Sequence, residues 1–243
     1  MHEGYHRHGA RRAPYLTKAH KKARVAWAEE HQGDMTEIWS QVIFSDECYV
    51  CIDELQGHIF VMHCADEKFL EECPIPSFQN SALWVMVWAC IMKGVKGPLI
   101  LLDYPGGRGG GMTALRYQKQ VLDGVLRGFW DLHKVTKPHI IFLQDGAPAH
   151  RAKSTKQWFL DNNIPLLFHP ANSPDLNSIK PIWHILKTIL RHLPHLSTSV
   201  DDLRCAIQNA WNALPIEAID HQIDQMPDRV WAVLKEKGGH TRF

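Results

Sequence analysis

From Ser81 to Met92 the chain is apolar at nearly every position. A strand with one wet face alternates, whereas a strand covered on both faces runs apolar throughout. This run therefore predicts a central strand in a sheet buried between layers of helices. With 243 residues, the chain can build such layers in one or two domains. Gln41–Ser45 and Gly57–His63 read as neighbouring strands, and Pro98–Tyr104 extends the sheet or crosses back. His139–Leu143 and Ile164–Phe168 are later, shorter strands. Helical spacing recurs over Tyr15–His31, with Thr17 as a cap, over Thr113–His133 and Ala152–Asp161, and from Ser178 onward with breaks at Pro194, Pro215 and Pro227. Pro105–Gly111 is glycine-rich and must be a loop. Three neighbouring strands followed by strands alternating with helices make an α/β fold: a mixed sheet, helices on both faces, and a helical C-terminal extension. The expected divisions are 1–34 (basic arm and helix), 35–193 (core) and 194–243 (helical extension).

No run of eighteen apolar residues exists, so no membrane-spanning helix is expected. The His- and Arg-rich N-terminus lacks the apolar stretch of a secretory signal. Six irregularly spaced cysteines do not form a disulfide framework, which points to the cytosol or nucleus. Net charge is +1, but residues 1–24 carry +6 and the remainder −5. A basic arm on an acidic body suits a phosphate backbone, although a solvated helix face would carry the same charge. Arg11, Arg12, Lys18, Lys21 and Lys22 are the candidate DNA contacts, with Arg108 in the glycine loop. That loop lacks the Gly-Lys-Ser/Thr ending of a phosphate-binding loop, so no nucleotide cofactor is expected.

Two apolar strands lead into acids: Val42-Ile43-Phe44-Ser45-Asp46 and Ile140-Ile141-Phe142-Leu143-Gln144-Asp145. A carboxylate at the C-terminal edge of a buried strand is held rigidly and faces the crevice where ligands bind. Two such groups on adjacent strands can share divalent metal, which clamps the attacking and leaving oxygens of a phosphodiester displacement. Ordinary strand-end turn formers would look the same in isolation.

The surroundings of these acids narrow the choice. Trp39-Ser40 precedes the Asp46 strand, Asp145 opens Asp145-Gly146-Ala147-Pro148-Ala149-His150, and Ser173-Pro174-Asp175-Leu176-Asn177-Ser178-Ile179-Lys180-Pro181-Ile182-Trp183 follows. Together with Pro14–His20 and Val85-Met86-Val87-Trp88, these blocks resemble the mariner-like transposases from about Arg12 to about Leu190. The resemblance implies an RNase H-like fold, DNA as partner, Mg²⁺ or Mn²⁺ as cofactor, a nuclear location and DNA transposition and integration. It leaves a homodimer open and carries Asp46 and Asp145 over as catalytic metal ligands. In that family the third block supplies a glutamate at a helix start. Here Lys180 stands in its place, 35 residues after Asp145. A protonated lysine has no lone pair to give and adds positive charge where a cation would bind. The expectation is a transposase-derived DDE-type domain with impaired catalysis and weak or absent metal binding. An active Mg²⁺-dependent transposase or endonuclease, and a non-enzymatic DNA-binding or assembly module, are the alternatives. Asn177 is the expected cap of the helix, and a salt bridge from Lys180 to Asp46 and Asp145 would offset its unfavourable place in the first turn.

Other signals carry less. Cys48 and Cys51, with His58, His63 and Cys64 nearby, fit a zinc pattern only if the segment turns, because residues three apart on a strand face opposite sides. Asp175 and Glu47 are acids near the site, yet neither occupies the helical position. His150 and His184 are candidates for the crevice, and Trp84 and Trp88 read as core.

Overall fold

In the computed structural model, residues 14–51, 84–103, 111–193 and 199–243 are described below. Helix α1 (Lys18–His31) begins at the expected cap: the Thr17 hydroxyl accepts from the His20 amide, and the His20 ring closes a reciprocal box. A short α2 (Thr36–Trp39) leads into β1 (Val42–Cys51), followed by β2 (Trp84–Met92) and β3 (Val95–Leu102). One long helical stretch comes next, α3 (Ala114–Tyr117), a π-helical middle (Gln118–Leu126) and α4 (Arg127–His133). Then come β4 (Ile141–Leu143), α5 (Pro148–Arg151), α6 (Lys153–Asp161) and β5 (Leu166–Leu167). A 3₁₀ turn (Pro174–Leu176) precedes α7 (Ile179–Arg191), α8 (Val200–Ala213), α9 (Ile216–Asp224) and α10 (Met226–Lys235). The expected strand Gly57–His63, the glycine loop before Gly111 with Arg108, and Pro194 lie outside the described residues, as do Arg11 and Arg12.

The sheet order is β3-β2-β1-β4-β5. β1 pairs antiparallel with β2 and parallel with β4, and β4 pairs parallel with β5. Strand β2 is covered on both faces, as its apolar run predicts. Val85, Val87, Ala89 and Ile91 join one core with α1, α7, α8, α9 and α10, while Met86, Trp88, Cys90 and Met92 join a second core with the α3–α4 stretch and α6. The C-terminal helices therefore share the first core with the sheet. Of the two strand tryptophans, Trp88 is wholly buried, and Trp84, at the start of β2, is 38% exposed against Tyr49.

One boundary differs from the sequence expectation for a physical reason. β1 does not stop at Asp46 but runs on to Cys51, because β2 pairs with it along that whole length. The expected break at Pro227 is present: α9 ends at Asp224, Gln225 turns, and Pro227 sits in the first turn of α10, where its missing N–H costs nothing.

Candidate active site

Asp46 lies mid-strand in β1, just past the last residue that β4 matches, Phe44 opposite Leu143. Asp145 stands two residues beyond Leu143, past the end of β4, as Asp46 stands two residues beyond Phe44. The Ser45 hydroxyl donates to the Leu143 carbonyl at 2.8 Å and holds the two tracks together beyond the ladder.

The third position arrives on α7. The Asn177 side chain ties the helix start to β1, donating to the Ser45 carbonyl at 3.0 Å and accepting from the Ile179 amide at 3.3 Å. Formally Ser178 is the residue before the helix, one later than the cap expected from sequence. Lys180 is thereby placed beside Asp46. Its Nζ lies 2.8 Å from each carboxylate oxygen. The sequence expectation had the ammonium reaching both aspartates; the bond formed is to Asp46, and Asp145 senses Lys180 only through its field. Trp183, one turn further along α7, donates its indole N–H to Asp46 Oδ2 at 2.8 Å. Asp46 is 5% exposed. Burial pushes its carboxyl up to about 6, against the pull of Lys180 and Trp183.

Asp145 has a different environment. Its Oδ1 accepts from the Ala147 amide at 2.9 Å and from His150 Nδ1 at 2.7 Å. The other ring nitrogen of His150 lies 3.3 Å from Glu47 Oε1, so the imidazole bridges an acid of β1 and the acid that follows β4. The Tyr117 ring packs on it at 4.3 Å, and the Tyr117 hydroxyl donates to Gln144 Oε1 at 2.8 Å. Burial lowers the affinity of His150 for its proton, but the hydrogen bonds to Asp145 and Glu47 outweigh burial and carry it to about 10. Burial likewise raises Asp145, and the bonds from His150 and Ala147 bring it down to about 2.

Asp175 is no stand-in for the missing acid. Both its oxygens are gripped by Arg24, at 2.7 and 2.6 Å, and Thr241 donates to Oδ2 at 2.8 Å. Arg24 also donates to the carbonyls of Gly238 and Gly239. Gly238 has φ +78°, and a Cβ there would fall 2.3 Å from the Lys21 carbonyl oxygen, so only glycine lets the C-terminal tail approach α1 this closely. Arg24, counted in the basic arm from sequence, is 1% exposed and belongs to the core. Lys18, Lys21 and Lys22 are exposed on α1.

Cys48 and Cys51 lie along extended β1, and among the described residues no three His, Cys, Asp or Glu side chains converge on a metal position. At the aspartates, both oxygens of Asp46 already accept protein donors, and Lys180 fills the place of a cation. The residues present do not fit a carboxylate-bound divalent metal. Trp183, which sequence reasoning missed as a partner of the acids, does have a signal: it stands one turn from Lys180 on the same helix, where side chains share a face; His150, a candidate for the crevice, is the group that bridges Asp145 and Glu47.

An RNase H-like sheet with one aspartate on β1, a second just past the end of β4 and a third position at the start of a later helix is the arrangement of the DDE-type nuclease class. Residues 116–204 match the DDE superfamily endonuclease family. The Tcb2 transposase of Caenorhabditis briggsae is 30% identical over 239 residues, covering 97% of this chain and 83% of that protein. The Tc1 transposase of Caenorhabditis elegans is 29% identical, covering 99% and 84%. The Mos1 transposase paired-end complex with left transposon end superimposes with a TM-score of 0.76 at 18% identity, covering 99% of this chain and 69% of that one. The mariner Mos1 paired end complex with Mg gives 0.77 at 17% identity, covering 98% and 68%. The chain belongs to the Tc1/mariner family of DDE transposases.

Proposed function

We propose that this transposase domain binds DNA in the nucleus but no longer cleaves it efficiently, because Lys180 occupies the cation position of the catalytic site. The single observation that supports this is the ammonium lying 2.8 Å from both oxygens of Asp46. A metal would have to displace a tethered charge that leaves with difficulty. Asp46, Asp145 and Lys180 together carry −1, whereas three acids would present −3, and cation binding depends steeply on that difference. The chemistry that a divalent ion supplies in such sites is stabilisation of the charge developing on phosphodiester oxygens. What remains here is a rigid, charge-compensated crevice. DNA as partner is supported by family membership and by the transposon-end complex of Mos1.

The test is plasmid nicking with Mg²⁺ or Mn²⁺, alongside calorimetric Mn²⁺ titration. The unmodified protein should show no metal-dependent nicking and no saturable Mn²⁺ binding. Robust nicking that Asp145→Ala abolishes would overturn the proposal and favour an active recombinase.

A further inference from the structure

The stretch from Phe168 to Asn177 joins β5 to α7 with a single 3₁₀ turn, Pro174–Leu176, as its regular structure. An irregular stretch keeps its backbone freedom unless side chains tie it down. Helix α7 does not fix its own start: the Ser178 side chain makes no cap bond, and Lys180 in the first turn opposes the helix dipole. Yet Lys180 and Trp183 both meet Asp46 at 2.8 Å. Groups outside α7 therefore set where the helix begins. Asn177 supplies one tie, to β1.

The other ties come from α1 and its lead-in, which hold the stretch at three points. The Trp27 indole donates to the Phe168 carbonyl at 2.7 Å. The Asn172 side chain donates to the Tyr15 carbonyl at 3.1 Å. Arg24 takes both oxygens of Asp175. The first two are single neutral bonds, whereas the third is a buried two-pronged charge pair, which fixes distance and angle together. Arg24 cannot swing with Asp175, because it also donates to the carbonyls of Gly238 and Gly239. From α10, Arg229 donates to the Asp175 backbone carbonyl at 2.9 Å. Side chain and main chain of Asp175 are thus both anchored, two residues before Asn177.

We propose that Arg24 is a positioning residue for the third site position: its fork on Asp175 fixes the turn from which α7 starts, and so sets Lys180 and Trp183 on Asp46. A pair serving core stability alone gains little from being charged, since apolar residues of the same volume often do as well or better. What the fork adds is fixed geometry, at the residue whose successors lead into the crevice. A misplacement of about 1 Å at such a site can cost on the order of a hundredfold in rate. The inference does not rest on the loss of cleavage, because the same fork would place an acid at position 180 as it places the lysine.

Hydrogen exchange of the indole N–H groups tests this. Trp183 reports on α7 at Asp46. Trp211, which donates to the Gly97 carbonyl at 3.1 Å, belongs to the same core and not to this contact. Trp183→Phe identifies the Trp183 signal in spectra of isotope-labelled protein. Arg24→Lys keeps the charge and loses the fork. Asp175→Asn keeps the shape and one acceptor, and gives the answer if Arg24→Lys folds poorly. In both, Trp183 should exchange on the order of tenfold faster relative to Trp211, by local opening of the helix start. Thr241→Val removes the tail's bond to Asp175, leaves the fork, and should leave that ratio unchanged. Equal acceleration of both indoles in Arg24→Lys and Asp175→Asn, or none at Trp183, would overturn the proposal and leave Arg24 a stabilising contact only. The readout does not depend on nicking, so its failure and that of the proposed function are distinguishable.

Discussion

Arg24 on α1 and Asp175 in the turn before α7 form a two-pronged ion pair at 2.7 and 2.6 Å, 151 residues apart in sequence. Arg24 is 1% exposed and Asp175 9%. The carbonyls of Gly238 and Gly239 and the Thr241 hydroxyl complete the contact, so the arm helix, the loop that aims Lys180 and the C-terminal tail meet at one point. Removing one partner of a buried pair strands the other charge and costs about 3–5 kcal/mol. Arg24→Ala should lower unfolding stability by that amount in urea titration. Arg24→Lys, which cannot form the planar fork, should fall between the two.

Asp46 gives a pH dependence of opposite sense to an ordinary paired acid. Its folded carboxyl is raised from 3.8 to about 6, so the folded state binds the proton more tightly than the unfolded one. Stability from this group is full below about pH 4 and is lost as pH rises through 6, by on the order of 2–3 kcal/mol. Asp46→Asn removes the buried charge and should be more stable than the unmodified protein at pH 8, with little difference at pH 4. Thermal unfolding at the two pH values measures this. A variant less stable at pH 8 would show that the bonds to Lys180 and Trp183 outweigh burial.

His150 and Asp145 act as a pair. The histidine is raised to about 10, so its contribution is fully present below pH 6.5 and lost as pH climbs through 10. The aspartate is lowered to about 2, so its contribution is present above pH 3.8 and lost as pH falls through 2. His150→Phe keeps a ring against Tyr117 but removes both hydrogen bonds. It should cost on the order of 2 kcal/mol at neutral pH, less than the shifts alone suggest because Asp145 is nearly half exposed and screened. The alkaline loss of stability near pH 10 should vanish in the variant.

Lys180→Glu changes the site charge from −1 to −3 and restores an oxygen donor on the element that faces both aspartates. Without metal, the variant should be less stable than the unmodified protein, because like charges crowd a buried carboxylate. Mn²⁺ should raise its melting temperature in proportion to occupancy and leave the unmodified protein unchanged. An unchanged melting temperature for both proteins at millimolar Mn²⁺ would show that the cluster has lost more than one ligand.

Lys18, Lys21 and Lys22, exposed on α1, are the arm's candidate DNA contacts. Changing all three to Gln should lower the salt slope of duplex binding by up to about 2.7 and leave stability nearly unchanged. Truncation through residue 24 is the wrong test of the arm, because it removes Arg24 from the core.

The sequence by itself determined the sheet's centre and the candidates for the site. Ser81–Met92 could only be a strand buried on both faces, and β2 sends alternate residues into two separate cores. Asp46, Asp145 and the lysine at the third position were legible because each sits in a motif a few residues long, and the chemistry of lysine is independent of fold. Local signals also placed the Thr17 cap. What only the tertiary structure decided is where charges find partners across long separations. Nothing near Arg24 in the chain marks it as buried: it is as basic as Lys21 and Lys22, and only the packing of α1 on α10 and the tail turns it inward. β1 runs past Asp46 because a partner strand supplies its hydrogen bonds, a fact no local propensity encodes. His150 spans Asp145 and Glu47 because one strand and the segment after another meet there. Periodicity reports which face a residue takes, while the partner on that face is set by the packing of distant segments.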